Sequence, residues 1–165
     1  MIIRDRTSIE KIVDEAYSHY IERIGCKPAP MTGDYTALVA SGSVWVLTVG
    51  DSLAGLIVLR TKPNHLLVSN VAVGKTYQGQ GYGRQLLDHA DALARQEGNS
   101  ELHLYTNELT HENLKIYLWF GLEGIEACRG RRFPSRFHEK NSPAIGGLTL
   151  HRCCSLQLQQ WKLPR

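Results

Sequence analysis

The run Val71–Arg84, VAVGKTYQGQGYGR, constrains this chain more than any other stretch. It opens on β-branched valines, places glycine at 79, 81 and 83, and then enters an apolar pattern at Leu86, Leu87, Ala90, Leu93 and Ala94. That pattern marks one face of a helix, so a strand must feed a glycine loop that feeds a helix. Glycines let backbone N–H groups approach a ligand closely, and a helix N-terminus carries roughly half a positive charge. The combination makes a site for phosphate or pyrophosphate, to which Arg84 on the first helical turn adds a cation.

Two common phosphate-binding patterns do not fit. A Walker loop requires G-x-x-x-x-G-K-[ST], and no Lys-Ser/Thr follows these glycines. A dinucleotide fingerprint requires G-x-G-x-x-G followed by further βα units, whereas the chain reads G-x-G-x-G and has only 165 residues.

The remaining elements follow from periodicity and breakers. Ile2–Arg4 is short and β-like, and Thr7-Ser8 can cap a helix that carries Ile12, Val13, Ala16, Tyr17, Tyr20, Ile21 and Ile24 until Gly25 stops it. Lys27–Gly33 reads as a loop and Asp34–Ala40 as a short helix. Ser43–Val49 and Ala54–Arg60 form a hairpin around Gly50-Asp51-Ser52, and Leu66–Val73 is a third strand. The helix Arg84–Glu97 ends at Gly98, Glu101–Thr106 alternates as a strand, and Glu112–Phe120 returns to helix before Gly121. Ile125–Arg129 and Phe137–Lys140 read as late strands. The order is mixed α+β, and the length suits one domain.

Net charge is +3, but it is unevenly spread. Residues 1–126 hold 11 Lys/Arg against 15 Asp/Glu, while residues 127–165 hold 8 against one acid, Glu139. The N-terminal MIIRDRTSIEK lacks the apolar core of a signal peptide, and no run approaches the ~18–20 apolar residues of a membrane span. Cys26, Cys128, Cys153 and Cys154 show neither C-x-x-C spacing nor a metal-like pairing with His. These features predict a cytoplasmic protein with reduced thiols, no membrane and no metal.

Gln78-Gly79-Gln80-Gly81-Tyr82-Gly83 resembles Q/R-x-x-G-x-G/A, the pyrophosphate arm of the GNAT superfamily of acyl-CoA-dependent N-acetyltransferases. Its setting strengthens the likeness, with a strand before, an amphipathic helix and a strand after, then Asn113-x-x-x-Tyr117 and Gly121-Leu122. Arg23-Ile24-Gly25, Pro28-x-Pro30-Met31 and Thr106-Asn107-Glu108 resemble a bacterial subgroup. The resemblance spans 1–140 and implies a mixed, mostly antiparallel sheet flanked by helices, with a splayed strand pair holding acetyl-CoA. Residues 141–165 fall outside the pattern; extra strands, exchange with a second subunit in a homodimer, or a disordered or frame-shifted tail are all open.

The resemblance further implies direct transfer of acetyl from acetyl-CoA, as co-substrate, to a primary amine on a small molecule or peptide. Gln78, Gly79, Gln80, Gly81, Tyr82, Gly83 and Arg84 would cradle the pyrophosphate, and Val71, Ala72 and Val73 would pair with the pantetheine arm that Asn113 also contacts. The Val71 N–H would face the thioester oxygen, and the Tyr117 hydroxyl would meet the leaving sulfur. The general base is left open among Glu108, Glu112, His111, His103 and a water chain. Two rival readings stand beside this one: a CoA-binding or regulatory module of the same fold, and a nucleic-acid binder using Arg129, Arg131, Arg132 and Arg136, which lack an aromatic platform beyond Phe133 and Phe137.

Overall fold

The computed structural model describes residues 6–99, 102–106, 110, 112, 113, 117, 131–135, 148–153 and 160–161. Helix α1 spans Arg6–Tyr17 and buries Ile9, Ile12, Val13 and Tyr17, a stripe at helical spacing. A 3₁₀ turn, Ser18–Tyr20, leads into the single-turn helix α2, Ile21–Ile24. Gly25 ends it at φ 80°, a left-handed position that favours glycine. The Pro28–Gly33 loop contains a 3₁₀ turn, Ala29–Thr32, and Asp34 caps helix α3, Tyr35–Ala40, by accepting from the Ala37 N–H at 3.1 Å.

The next strands are β1, Val44–Val49, β2, Ser52–Thr61, and β3, Leu66–Val73. Helix α4, Tyr82–Gln96, ends in paired backbone bonds, Gly98 N–H to Arg95 O and Asn99 N–H to Ala94 O, with Gly98 at φ 74°. Strand β4 is Leu102–Thr106. Three more strands follow: β5, Arg131–Ser135, β6, Leu148–Cys153, and β7, Gln160–Trp161. Glu112, Asn113 and Tyr117 are helical. The expected elements at 2–4, 125–129 and 137–140 lie outside the described residues.

The sheet order is β5-β4-β3-β2-β1-β6-β7. Only the β3–β4 pair is parallel; every other neighbour is antiparallel. Strand β5 runs through Pro134, a residue that cannot donate to a ladder. The sheet tolerates it because β5 is the edge, where a proline's missing N–H deprives no further strand.

Both faces of the central strands are covered, so their sequences are nearly continuous in apolar residues. Trp45, Leu47, Ile57, Leu59, Leu66 and Val68 pack with Leu86, Leu87, Ala90 and Ala94 of α4. On the opposite face Val44, Val46, Leu56, Val58 and Ala72 pack with Ile9, Ile12, Val13, Tyr17 and Tyr35. The register along β3 slips once: Leu59 pairs with Val68 but Val58 pairs with Asn70, leaving Ser69 as an extra residue. The bulge reverses the facing of everything after it. Leu66 and Val68 face α4, and beyond Ser69 it is Val71 and Val73 that pack on that side, while Asn70 and Ala72 turn towards α1.

Candidate active site

Strand β3 pairs with β4 only through Leu66, Val68 and the Leu67 between them. Past that point the two strands part, and among the described residues the β3 edge from Ser69 to Val73 has no ladder partner on that side. The direction of its polar groups follows from one bond. The Gly74 N–H donates to Ala54 O at 2.9 Å, so Gly74 faces β2. By the alternation of a strand, Ala72 and Asn70 present their N–H and C=O to β2, while Val71 and Val73 present theirs to the open side.

Side chains take up the two carbonyls there. The Tyr17 hydroxyl donates to Val71 O at 2.8 Å, and the Gln78 Nε2 donates to Val73 O at 3.0 Å. The N–H groups of Val71 and Val73 are left facing outward, about 6.5–7 Å apart along the strand. The open edge is therefore a row of donors whose own acceptors are already engaged. It matches a ligand that offers carbonyl oxygens.

The glycine arm continues directly from this edge. A 3₁₀ turn, Lys75–Tyr77, precedes Gln78, and Gly79 and Gly81 take φ 75° and 84°. A Cβ at either glycine would meet nothing within 4 Å, so backbone conformation and not space demands glycine there. Gly81 is the cap of the fifteen-residue α4, whose N-terminal N–H groups and dipole favour an anion. Arg84, on the first turn, lies 3.4 Å from Asp88 through its Nε.

Edge and arm border one cleft of about 620 Å³, within the range that holds small ligands. Of the residues anticipated from sequence, Val71, Val73, Gln78, Gly79, Gly81, Tyr82, Gly83, Arg84, Asn113 and Tyr117 line it. Ala72 and Gln80 do not. Ala72 points into the α1-side core at 2% exposed, as the strand alternation requires, and the Gln80 side chain folds back to donate to Thr76 O.

Tyr117 is buried at 7% exposed, and loss of solvation pushes its hydroxyl well above the usual phenol range, so it stays a proton donor at physiological pH. Burial raises Tyr17 strongly and Tyr20 to a lesser degree, the carboxylate of Glu112 adding to the latter.

The wall opposite the arm includes two residues that periodicity assigned to packing, Tyr17 and Tyr20. Tyr17, His19 and Tyr20, from α1 and the turn after it, line the cleft with Glu112. The His19 ring lies 3.8 Å from that of Tyr20, and Arg23 stands 5.6 Å from the centroid of the same tyrosine ring. The available signal was the cluster of polar aromatics at the helix end, where a purely structural stripe would need no hydroxyls.

Among the open choices for a base, the sheet removes His103. Leu102 and Leu104 are buried on the α4 side, and His103 stacks on His65 at 3.8 Å, away from the cleft. Glu112 lines the cleft but is held by Arg23. Glu108 and His111 lie outside the described residues. Among the described residues no three His, Cys, Asp or Glu side chains gather as metal ligands, and no helix is long and apolar enough to cross a membrane.

Comparison with known proteins places the sequence and the fold among acetyltransferases. The chain is 36% identical over 75 residues to N-alpha-acetyltransferase 80 of Mus musculus, 46% of this chain and 23% of that protein. It is 30% identical over 77 residues to the uncharacterized N-acetyltransferase YvbK of Bacillus subtilis (strain 168), 46% of this chain and 50% of the other. These matches thus cover half or less of either relative's length. The PaiA N-acetyltransferase of Thermoplasma acidophilum, solved in complex with coenzyme A, shares the fold with a TM-score of 0.59 at 14% identity, over 79% of this chain and 93% of that one. Residues 8–121 match the Acetyltransferase (GNAT) family, and that span takes in both the donor edge of β3 and the glycine arm; the chain belongs to this family of acetyltransferases.

Proposed function

We propose that the protein transfers the acetyl group of acetyl-CoA directly to a primary amine of a small molecule or peptide. One observation carries this reading: a donor-only strand edge and an anion-binding helix N-terminus border the same cleft. Acetyl-CoA has the complementary layout, since its pyrophosphate, pantetheine carbonyls and thioester lie in sequence along one flexible arm. Bound there, it supplies an activated acyl carbon.

The chain's own residues then have separable tasks. The N–H groups from Gln78 to Arg84 neutralise and hold the phosphates. The Val73 and Val71 N–H groups bind carbonyl oxygens, and that of Val71 stabilises the charge that develops as the amine attacks. Asn113 orients the arm. Tyr117, kept protonated by burial, donates to the sulfur as its bond to carbon breaks, while the amine's proton passes to a base or water on the Tyr20 and Glu112 side.

The deciding experiment is release of free CoA from acetyl-CoA across a panel of primary amines. Amine-dependent release, with the acetylated amine found by mass spectrometry, is the expected result. Tight CoA binding with no turnover on any amine would instead identify a binding module.

A further inference from the structure

Tyr17 lies deep in the fold and touches no reacting group by sequence position, yet its hydroxyl is the centre of a buried polar chain. It donates to Val71 O at 2.8 Å and to Asn70 Oδ1 at 2.7 Å. The Asn70 Nδ2 donates to the Tyr35 hydroxyl at 2.9 Å, and Tyr35 in turn donates to Pro30 O at 2.8 Å. Tyr35 must spend its one proton on Pro30, so the Asn70 amide can only face it with nitrogen. The Asn70 oxygen is thereby turned to Tyr17, whose single proton serves two acceptors, one on each side of the Asn70–Val71 peptide.

This arrangement stands where a neighbouring strand would otherwise be. In an ordinary ladder β4 would hold Val71 by its N–H and C=O together. Here β4 has parted after Val68, and among the described residues no strand pairs with Asn70–Val71 on that side. A lone N–H donor stabilises developing charge only if it is already aimed. The Tyr17 phenol grips the carbonyl of the same residue and the side chain of the preceding one, which restricts rotation on both sides of the Val71 N–H. Burial keeps the phenol protonated, so the grip does not vary with pH in the physiological range.

We infer that Tyr17 is a positioning residue for acetyl transfer, holding the bulged segment Asn70–Val71 so that the Val71 N–H is fixed towards the thioester oxygen. The inference rests on the acetyltransferase reading above. It assigns Tyr17 a task beyond core packing: to replace a missing strand on the acceptor side only, leaving the donor free.

The test compares Tyr17→Phe with Asp34→Ala, which removes the α3 cap at a residue that does not line the cleft and so lowers stability without touching the Tyr17 bonds. Tyr17→Phe should lower kcat about tenfold, as expected when one preorganised donor is loosened, with KM for acetyl-CoA within about twofold. Its affinity for CoA, which lacks the acetyl group, should match wild type by calorimetry. Asp34→Ala should lower Tm and leave kcat unchanged. Asn70→Ser provides a second variant: it removes one of the two groups that the Tyr17 phenol holds and keeps the bond to Val71 O, so its loss of kcat should be smaller than that of Tyr17→Phe, about threefold. Equal losses of kcat in Tyr17→Phe and Asp34→Ala, or a loss in Asn70→Ser as deep as about tenfold, would overturn the inference. Wild-type protein that binds CoA but acetylates no amine would overturn the acetyltransferase reading instead, so the two failures are distinguishable.

Discussion

Arg23 and Glu112 form a two-pronged ion pair, at 2.9 and 3.1 Å, that ties α2 to the helical residues Asn113 and Tyr117 beside the cleft. Both side chains are substantially exposed, so the pair contributes little to stability and is weakened by salt. Arg23→Ala should shift Tm by no more than about 2 °C, and by less at about 1 M salt. Its effect belongs to the site: Glu112, which lines the cleft, is released, and under the proposed reaction KM for the amine should change more than KM for acetyl-CoA. Steady-state kinetics with each substrate varied in turn will show which moves.

Tyr117 has a different signature. Removing its hydroxyl leaves the aromatic ring in the core and the glycine arm untouched. Tyr117→Phe should lower kcat by about 10²-fold while CoA affinity changes less than about twofold. Because burial holds the phenol above its usual range, the wild-type rate should show no phenolate limb up to pH 9. Turnover by the phenylalanine variant equal to wild type would remove Tyr117 from the mechanism.

The glycine arm makes a graded prediction. At φ 84°, Gly81 occupies a backbone region that costs an ordinary residue about 1–2 kcal/mol and that asparagine tolerates better. Gly81→Ala should therefore lower stability by about 1 kcal/mol and weaken CoA binding, and Gly81→Asn should do less of both. Open space around the position means that side-chain size is not the cause. Calorimetric CoA titration of the two variants separates conformation from bulk.

His89 supplies a pH-dependent term. It sits on α4 with its ring 4.5 Å from that of Trp45, and its Nε2 has no hydrogen-bond partner among the described residues. Burial lowers it from 6.5 to about 4, so the native state resists a proton that the unfolded chain accepts readily. The stabilisation is complete above pH 6.5 and is lost as pH falls towards 4, by at most about 3 kcal/mol. His89→Leu should flatten this part of the Tm–pH curve. A wild-type curve already flat between pH 6.5 and 4 would contradict the assignment.

Much of the local structure was legible in the residues themselves. Strand Leu66–Val73 matches the sequence-based bounds, and the stops at Gly25 and Gly98 fall where left-handed glycine conformations end helices. The strand–glycine–helix order of the phosphate arm is equally local, because turn and helical-face requirements act between residues a few positions apart. Asn113 and Tyr117 were marked by the resemblance to the GNAT pattern, and both residues line the cleft.

Tertiary structure alone decided how that arm acquires a site. The extra residue at Ser69 exists only as a mismatch in register with Val58 and Leu59, and alternation within β3 cannot reveal it. The same long-range pairing parts β3 from β4, sends Ala72 into the core instead of the cleft, and lets β5 cross Pro134 at a free edge. Tyr17 and Tyr20 read as core positions by spacing, since a helical stripe records which face is buried but not what it is buried against. Only the packing of α1 across the splayed strands turns their hydroxyls towards Val71 and Asn113.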